Sequence, residues 1–312
     1  MRFSPAATKN VLRRIVVMSS LSIFVTPIIF TACGSQGSQI GNPSRQVAPT
    51  VDQVQASSGS SSTSALGSGS TSSSDSSSTS SSGSSSGSTN TIIKPPVLLF
   101  NGTGTDDDVA AIESVLNTLK LSYATANSSQ LDAMTETQLG GYKLFIVPGG
   151  NSITIGNNLS KNTTTNVRNA VANYGLHYLG MCAGGFFGSY QTANGLDLTS
   201  GVWFDVWPNN GKGTGKESVE ISFPAQSNLD IYWHDGPETS GWGSIVAKYP
   251  DGTAAIVEGV YGKGFAIMSG VHPEAPASWR TCCTFTTPLA TDLAYANTLV
   301  TAALNGTSLP HY

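Results

Sequence analysis

Charged residues are scarce in this sequence: they make up 11% of its 312 residues, and Asp and Glu outnumber Lys and Arg by 19 to 15. A chain without a basic excess is a poor partner for nucleic acid, which attracts clustered Lys and Arg. Cysteine is scarce too, and the four cysteines show no zinc-type Cys/His spacing. We therefore predict no nucleic-acid partner, no metal site and no cofactor.

The sequence also lacks a convincing membrane-spanning run of roughly 20 predominantly apolar residues. Four basic residues and no acid precede an apolar stretch at 15–30 that Ser and Pro interrupt, which is typical of an export signal. The residues before Cys33 resemble the lipobox of bacterial lipoproteins, with Phe30 where that family usually has Leu. This resemblance implies an exported chain anchored to the lipid bilayer through an acylated Cys33, and Gly34 favours the outer membrane of a Gram-negative cell. An ordinary secretory signal with a coincidental cysteine is the alternative.

Residues 57–88 are almost entirely Ser, Gly and Thr, a composition that cannot bury enough apolar surface to fold. We predict a signal peptide at 1–32, a lipidated cysteine with a flexible tether at 33–91, and one domain at 92–312. The tether would hold that domain roughly 40 Å from the anchor; a neutral low-complexity insertion is the alternative. Without residues 1–32 the chain has 11 Lys and Arg against 19 Asp and Glu, a formal charge of about −8.

Short apolar runs alternate with helical patterns in the first half of the domain, at 96–100, 143–147 and 177–181. This alternation predicts an α/β fold with a mostly parallel sheet and helices on both faces, whose ligands bind beyond the carboxyl ends of the strands. In the second half we predict a closing helix at 289–304 and strands that act as β-rich additions or edge strands. These strands are expected at 202–207, 219–223, 229–233, 245–249, 254–258 and 265–269.

Cys182 is the strongest candidate for chemistry, because a Gly-x-Cys-x-Gly motif at 180–184 follows a predicted strand and precedes a predicted helix. Small neighbours permit the sharp turn of a nucleophile elbow, and a helix beginning at Ala183 would favour the thiolate through its dipole. A buried structural cysteine in a tight turn is the alternative.

His272 and Glu274 form the second candidate group, directly after the predicted strand at 265–269. If the segment is extended, residues two apart face the same side, so Glu274 could orient the His272 ring towards a thiol. The third group is Gly149 and Gly150, whose backbone N–H groups could bind an oxyanion together with that of Ala183. Each motif alone is also compatible with a plain turn.

The Pro-Gly-Gly at 148–150, the Gly-Met-Cys-Ala-Gly-Gly at 180–185 and the Gly-Val-His-Pro-Glu at 270–274 resemble, in this order, the class I glutamine amidotransferase-like superfamily. The start at 97–102 and the stretch ending at Ser189 are similar to the amidotransferase-like N-terminal domain of biotin-protein ligases. The resemblance implies a flavodoxin-like fold.

For the site, the same resemblance implies Cys182 as nucleophile, His272 as base and Glu274 as its orienting carboxylate, with Gly150 and Ala183 as oxyanion donors. No synthetase, ligase or ammonia-accepting sequence follows these motifs, so we expect neither ammonia channelling nor biotinylation from this chain.

Several further residues complete the sequence-based hypothesis. Asn101, Gly102 and Asp235 are candidates for lining the substrate site. The adjacent Cys282 and Cys283 could form a vicinal disulfide or remain reduced. The acids at 106–108 could bind a metal, but the dipole of a helix start explains them adequately.

Two functions follow from these residues. One is a cysteine hydrolase acting on a small amide or peptide-like substrate; the other is a surface-tethered binding module that keeps the fold without turnover.

Overall fold

The computed structural model describes residues 94–105, 107–208 and 215–312. The export signal, Cys33 and nearly all of the tether lie outside the described residues, so the expectations for them stay predictions. Within the described ranges, no helix combines the length and the apolar character that crossing a membrane requires.

The first half of the described chain alternates strands and helices, as predicted. Its elements are β1 (Val97–Phe100), α1 (Asp108–Thr118), β2 (Tyr123–Ala126), α2 (Ser128–Asp132), α3 (Glu136–Leu139), β3 (Leu144–Val147), α4 (Ser152–Asn157), α5 (Lys161–Asn169), a π-helical turn (Ala170–Tyr174), β4 (His177–Met181) and α6 (Ala183–Gly188). The sequence analysis missed α3, although Thr135 and Gln138 form its capping box.

The second half is rich in strands and ends in a helix. Its elements are β5 (Asp205–Val206), β6 (Lys216–Ile221), β7 (Leu229–His234), β8 (Pro237–Glu238), β9 (Ser244–Lys248), β10 (Ala254–Tyr261), β11 (Gly264–Ser269), a 3-10 helix (Trp279–Cys282) and α7 (Leu289–Asn305). The strand predicted at 202–207 shrinks to the two residues of β5, because its partner β8 is also only two residues long.

Seven strands form one sheet in the order β2-β1-β3-β4-β11-β10-β9. The first five pair in parallel, whereas β10 pairs antiparallel with both of its neighbours, β11 and β9. Counting only the parallel strands gives the flavodoxin-like order 2-1-3-4-5. The predicted α/β fold with a mostly parallel sheet is confirmed.

The position of β11 corrects one expectation. We predicted it among the additions and edge strands, but it lies in the interior of the sheet, between β4 and β10. All six of its residues are buried, which is typical of a strand covered on both faces. The consequence is that the segment after β11 reaches the same edge of the sheet as the segment after β4.

Helices cover both faces of this sheet, and the side chains of β1 alternate between them. Val97 and Leu99 face the apolar cluster that contains α1 and α7, whereas Leu98 and Phe100 face the cluster that contains α2 to α6. The core is therefore two apolar layers separated by the sheet.

A buried ion pair fixes the start of α7. Asp292 Oδ2 lies 3.1 Å from Arg280 Nη1, and both side chains are less than a tenth exposed. Burial raises the pKa of Asp292 to about 7, against the opposing effect of Arg280 and with a smaller contribution from Asp230. The folded state therefore binds this proton more tightly than the unfolded chain does.

We expect Asp292 to destabilise the fold progressively as the pH rises from about 4 to about 7. A carboxyl whose pKa is higher in the folded state than in the unfolded chain stabilises the fold at pH values below its unfolded pKa. This contribution is lost as the pH rises to the folded pKa, at up to about 1.4 kcal/mol per pH unit. Urea unfolding between pH 4.5 and 7.5 should show Asp292→Asn gaining stability relative to the wild type by about 1 kcal/mol or more. The exposed Glu217 offers the control Glu217→Gln, which should track the wild type. A difference between Asp292→Asn and wild type that stays constant with pH would contradict the expectation.

Candidate active site

The candidate residues follow the carboxyl ends of parallel strands, at one edge of the sheet. Asn101 follows β1, Gly149 follows β3, Cys182 follows β4 and His272 comes shortly after β11. Because β3, β4 and β11 are neighbours, the last three of these residues come from adjacent strand ends.

Cys182 occupies a sharp turn between β4 and α6, as the sequence motif predicted. Its φ is 47° and its ψ −104°, a conformation that is uncommon for a residue other than glycine and that costs free energy. The backbone N–H of Cys182 donates to the carbonyl of Ser269 at 2.8 Å, which ties the turn to β11. The side chain itself is only 2% exposed.

The glycines of the motif are required by close backbone approach. A Cβ on Gly184 would lie 2.0 Å from the carbonyl oxygen of Val147, and one on Gly180 would lie 2.3 Å from the carbonyl oxygen of Gly184. The hydroxyl of Tyr178 donates to that same Gly184 carbonyl at 2.6 Å. The first turn of α6 is thus pressed against both β3 and β4.

Gly184→Ala should destabilise the fold by about 1–3 kcal/mol, because the clashing atom belongs to the backbone of a central strand and cannot move aside cheaply. Gly141→Ala is the matched control: the nearest atom to its Cβ would be the flexible ammonium of Lys94 at 3.0 Å. Urea unfolding of both variants gives the comparison. Equal losses in the two variants would show that the elbow does not need this glycine.

His272 and Glu274 meet as the sequence predicted, but for a different reason. His272 Nδ1 lies 2.9 Å from Glu274 Oε1, and both side chains are fully buried. The segment is not extended, however: the N–H of Ala275 donates to the His272 carbonyl at 3.2 Å and closes a turn. Pro273 favours this turn because its ring fixes φ. The predicted extended geometry was wrong, although the contact it implied is present.

The imidazole of His272 is fixed by its surroundings as well. Its backbone N–H donates to the Tyr232 carbonyl at 2.9 Å. The rings of Tyr232 and Trp279 lie 5.8 Å and 5.7 Å from the His272 ring, both edge-on. Few other orientations are open to an imidazole packed in this way.

Asp108 is a carboxylate beside His272 that the sequence analysis did not assign to the site. Its Oδ1 lies 3.6 Å from His272 Nδ1, and the residue is buried at the start of α1. The only signal in the sequence was an acid at a helix start, which the helix dipole explains equally well. The ligand atoms of Asp108, His272 and Glu274 lie within 4.8 Å of one another, a spacing that would admit a metal ion. The ordinary hydrogen bond between His272 and Glu274 also accounts for the arrangement without one.

The predicted oxyanion donors lie on adjacent segments. The N–H of Gly184 donates to the Pro148 carbonyl at 3.1 Å, which joins the turn containing Gly149 and Gly150 to the helix that starts at Ala183. Gly150 has a φ of +131°, a value that favours glycine. Gly149 has a second reason to be glycine, since a Cβ there would lie 2.1 Å from Asp108 Oδ1. Whether these N–H groups bind an oxyanion stays a prediction.

The thiol has a neighbour that the sequence analysis missed. Cys182 Sγ donates to the backbone carbonyl of His234, at the end of β7, over 3.5 Å. The contact is made by the main chain of His234 and not by its ring. The thiol also lies close enough to Tyr249 to affect its titration. The pKa of Tyr249 is raised well above its ordinary value, first by burial and second by the negative charge that Cys182 has when it is ionised.

The remaining predicted lining residues lie further out. Asn101 is exposed and its N–H donates to Ala126 at the end of β2, and Gly102 follows it; β3 separates their strand from β4. Asp235 has a φ of 49° and lies 3.9 Å from His234 between Oδ2 and Nε2. The two side chains can approach each other because β7 ends at His234 and the chain turns there.

The match to known families falls on the part of the chain that carries Cys182. Residues 96–198 match the family described as biotin-protein ligase, N terminal. The predicted resemblance to this family is confirmed over those residues.

No curated protein matches the chain. Among solved structures, a glutamine amidotransferase is 20% identical to this chain, with a TM-score of 0.47. The match covers 68% of this chain and 100% of the amidotransferase chain. PurLQS from Thermotoga maritima is 14% identical, with a TM-score of 0.46, and the match covers 67% of this chain and 99% of the PurLQS chain. These likenesses are too distant to carry an argument about activity, and the fold assignment rests on the strand order.

Several cysteines and tryptophans have structural roles or lie beside the site. Cys282 and Cys283 form a vicinal disulfide, the first of the two alternatives, whereas Cys182 is not part of a disulfide. Trp207 stacks on Tyr249 with ring centroids 4.1 Å apart and is a core residue. Trp279 is the tryptophan that packs on the His272 ring.

Proposed function

We propose that the chain is an exported, lipid-anchored cysteine hydrolase that acts on a small amide or peptide-like substrate, with Cys182, His272 and Glu274 as its catalytic residues. The observation that carries this proposal is the buried contact of 2.9 Å between His272 and Glu274, one strand end away from the elbow cysteine. A base oriented by a carboxylate next to an elbow nucleophile is the logic of a catalytic triad.

In this mechanism the Cys182 thiolate attacks the amide carbon, and His272 carries the thiol proton. The bond from sulfur to carbon forms while the carbonyl oxygen becomes negative, and the N–H groups of Gly150 and Ala183 would stabilise that charge. His272 then gives its proton to the leaving amine, and a thioester remains on Cys182. Water hydrolyses the thioester, with His272 as base, and the sum is one amide and one water converted to an acid and an amine.

Glu274 supports this cycle by holding one tautomer of the ring. Its Oε1 accepts the Nδ1 proton, which leaves Nε2 as the nitrogen that exchanges protons with the thiol. Burial strengthens the interaction, because the effective dielectric constant is lower inside the protein than in water.

A second candidate function is a tethered binding module without turnover. The contact that favours it is the one between the buried Cys182 thiol and the His234 carbonyl, because a group that donates a hydrogen bond there is protonated and enclosed. A ligand of such a module would occupy the same edge of the sheet without reacting.

Cys182 alkylation separates these two functions. In the purified full chain, iodoacetamide should label Cys182 rapidly below pH 7 if His272 stabilises the thiolate. His272→Ala and Glu274→Gln should each slow labelling at pH 6.5 by roughly tenfold or more, which corresponds to about one unit in the thiol titration. Mass spectrometry of the labelled peptide gives the rate.

Cys182→Ser supplies the background, since the other domain cysteines are joined to each other. Slow labelling that neither variant changes would exclude the triad and favour the binding module. A positive result would justify turnover assays with amides whose leaving amine is chromogenic.

The anchoring part of the proposal rests on the N-terminal sequence. Cys33→Ser should abolish incorporation of labelled palmitate and move the protein from the membrane fraction to the aqueous phase of a detergent partition, because the acyl chains provide the bilayer affinity. Cys182→Ser is the matched control and should stay with the membrane. Retention of Cys33→Ser in the membrane fraction would contradict lipidation at this residue.

A further inference from the structure

Asp108 reaches the candidate site from the far side of β3. It is the first residue of α1, which follows β1, whereas His272 follows β11. In the sheet, β3 and β4 lie between these two strands. The approach of Asp108 to His272 within 3.6 Å therefore spans the edge of the sheet rather than a single loop.

Gly149 provides the space in which the two side chains meet. A Cβ at this position would lie 2.1 Å from Asp108 Oδ1 and 2.8 Å from His272 Cε1. Any side chain on residue 149 would therefore displace the carboxylate, the imidazole or both. The turn after β3 is shaped to bring Asp108 against the ring.

The imidazole thus lies between two carboxylates. Glu274 takes the hydrogen bond at 2.9 Å, and Asp108 at 3.6 Å is too distant for a hydrogen bond but close enough for a strong charge interaction. Both negative charges favour the imidazolium over the neutral ring, and low exposure limits screening by solvent. Glu274 alone would orient the ring, so the effect specific to Asp108 is electrostatic.

We propose that Asp108 is a positioning residue of this site, which holds the His272 imidazolium through its charge and so stabilises the thiolate of Cys182. The proposal rests on the proposed function for its link to the thiol, but its claim about the ring can be tested separately. In this proposal Asp108 acts through His272.

The other titratable groups around the ring come from three elements. Glu274 belongs to the same turn, Tyr232 and His234 belong to β7, and Cys182 follows β4. A neutral variant of Asp108 leaves all of these in place, so a change in the ring's protonation reports on Asp108.

The test is a nitrogen NMR titration of His272 in the full chain, with EDTA present to exclude bound metal. Asp108→Asn keeps the shape and removes the charge, and we expect it to lower the pH at which the ring is half-protonated by about one unit. Asp107→Asn removes an exposed charge from the same helix start and should leave that pH unchanged within about 0.3 units. His272→Ala identifies the signal.

The outcomes are decisive in both directions. The proposal is overturned if the His272 ring is half-protonated at the same pH in Asp108→Asn and in the wild type. It is also overturned if Asp107→Asn shifts that pH as much as Asp108→Asn does, because the shift would then be a general effect of charge at the helix start. If Asp108→Asn does not fold, Asp108→Ser, a neutral residue common at helix starts, repeats the measurement.

Alkylation of Cys182 then tests the link to the thiol. Asp108→Asn should move the pH profile of labelling upwards by about one unit in the wild type and not at all in His272→Ala. If His272→Ala itself leaves labelling unchanged, the proposed hydrolase fails, while the NMR result still decides the role of Asp108 towards the ring. If the profile moves equally in both backgrounds, Asp108 does not act through His272 and the proposal is overturned.

Discussion

The close approach of α6 to the backbones of β3 and β4 is the constraint on which the rest of the site depends. Gly184 has no room for a Cβ against the Val147 carbonyl, and Gly180 has none against Gly184 itself. This contact forces the chain to reverse within one residue, which is why Cys182 adopts a positive φ. The same contact joins the turn after β3 to the start of α6, so the thiol and the candidate oxyanion donors are positioned together.

Charge interactions among the site residues are strong because these residues are buried. Two carboxylates and an imidazole that are nearly inaccessible to water lose hydration, and their mutual charge interactions offset part of that cost. The Arg280–Asp292 pair brings opposite charges together elsewhere in the protein, and even there burial raises the carboxyl pKa to about 7. When both acids beside His272 are ionised and the ring is neutral, the cluster carries two negative charges, and protonation of the ring lowers this net charge to one.

The sequence predicted what depends on neighbours in the chain and missed what depends on long-range contacts. The elbow could be identified from residues 180–184 because its glycines, strand and helix are contiguous. Glu274 was identified although its turn was predicted to be extended, because one residue separates it from His272 in either geometry. Asp108 and the His234 carbonyl could not be found, since two strands separate β1, which precedes Asp108, from β11, and the carbonyl is a backbone group. The interior position of β11 likewise depends on pairing with β4, which no local pattern reveals.

The two candidate functions, catalysis and binding without turnover, differ in whether the Cys182 thiolate is stabilised. The hydrogen bond from Cys182 to the His234 carbonyl favours the thiol, but a sulfur donor at 3.5 Å contributes only about 1 kcal/mol or less. The dipole of α6 opposes it weakly, because this helix has only six residues and few aligned peptide groups. In the proposed triad, the charge of the imidazole at the neighbouring strand end would then decide the state of the sulfur. The two carboxylates beside the ring would favour that charge, and an elbow cysteine without them would lack this support for its thiolate.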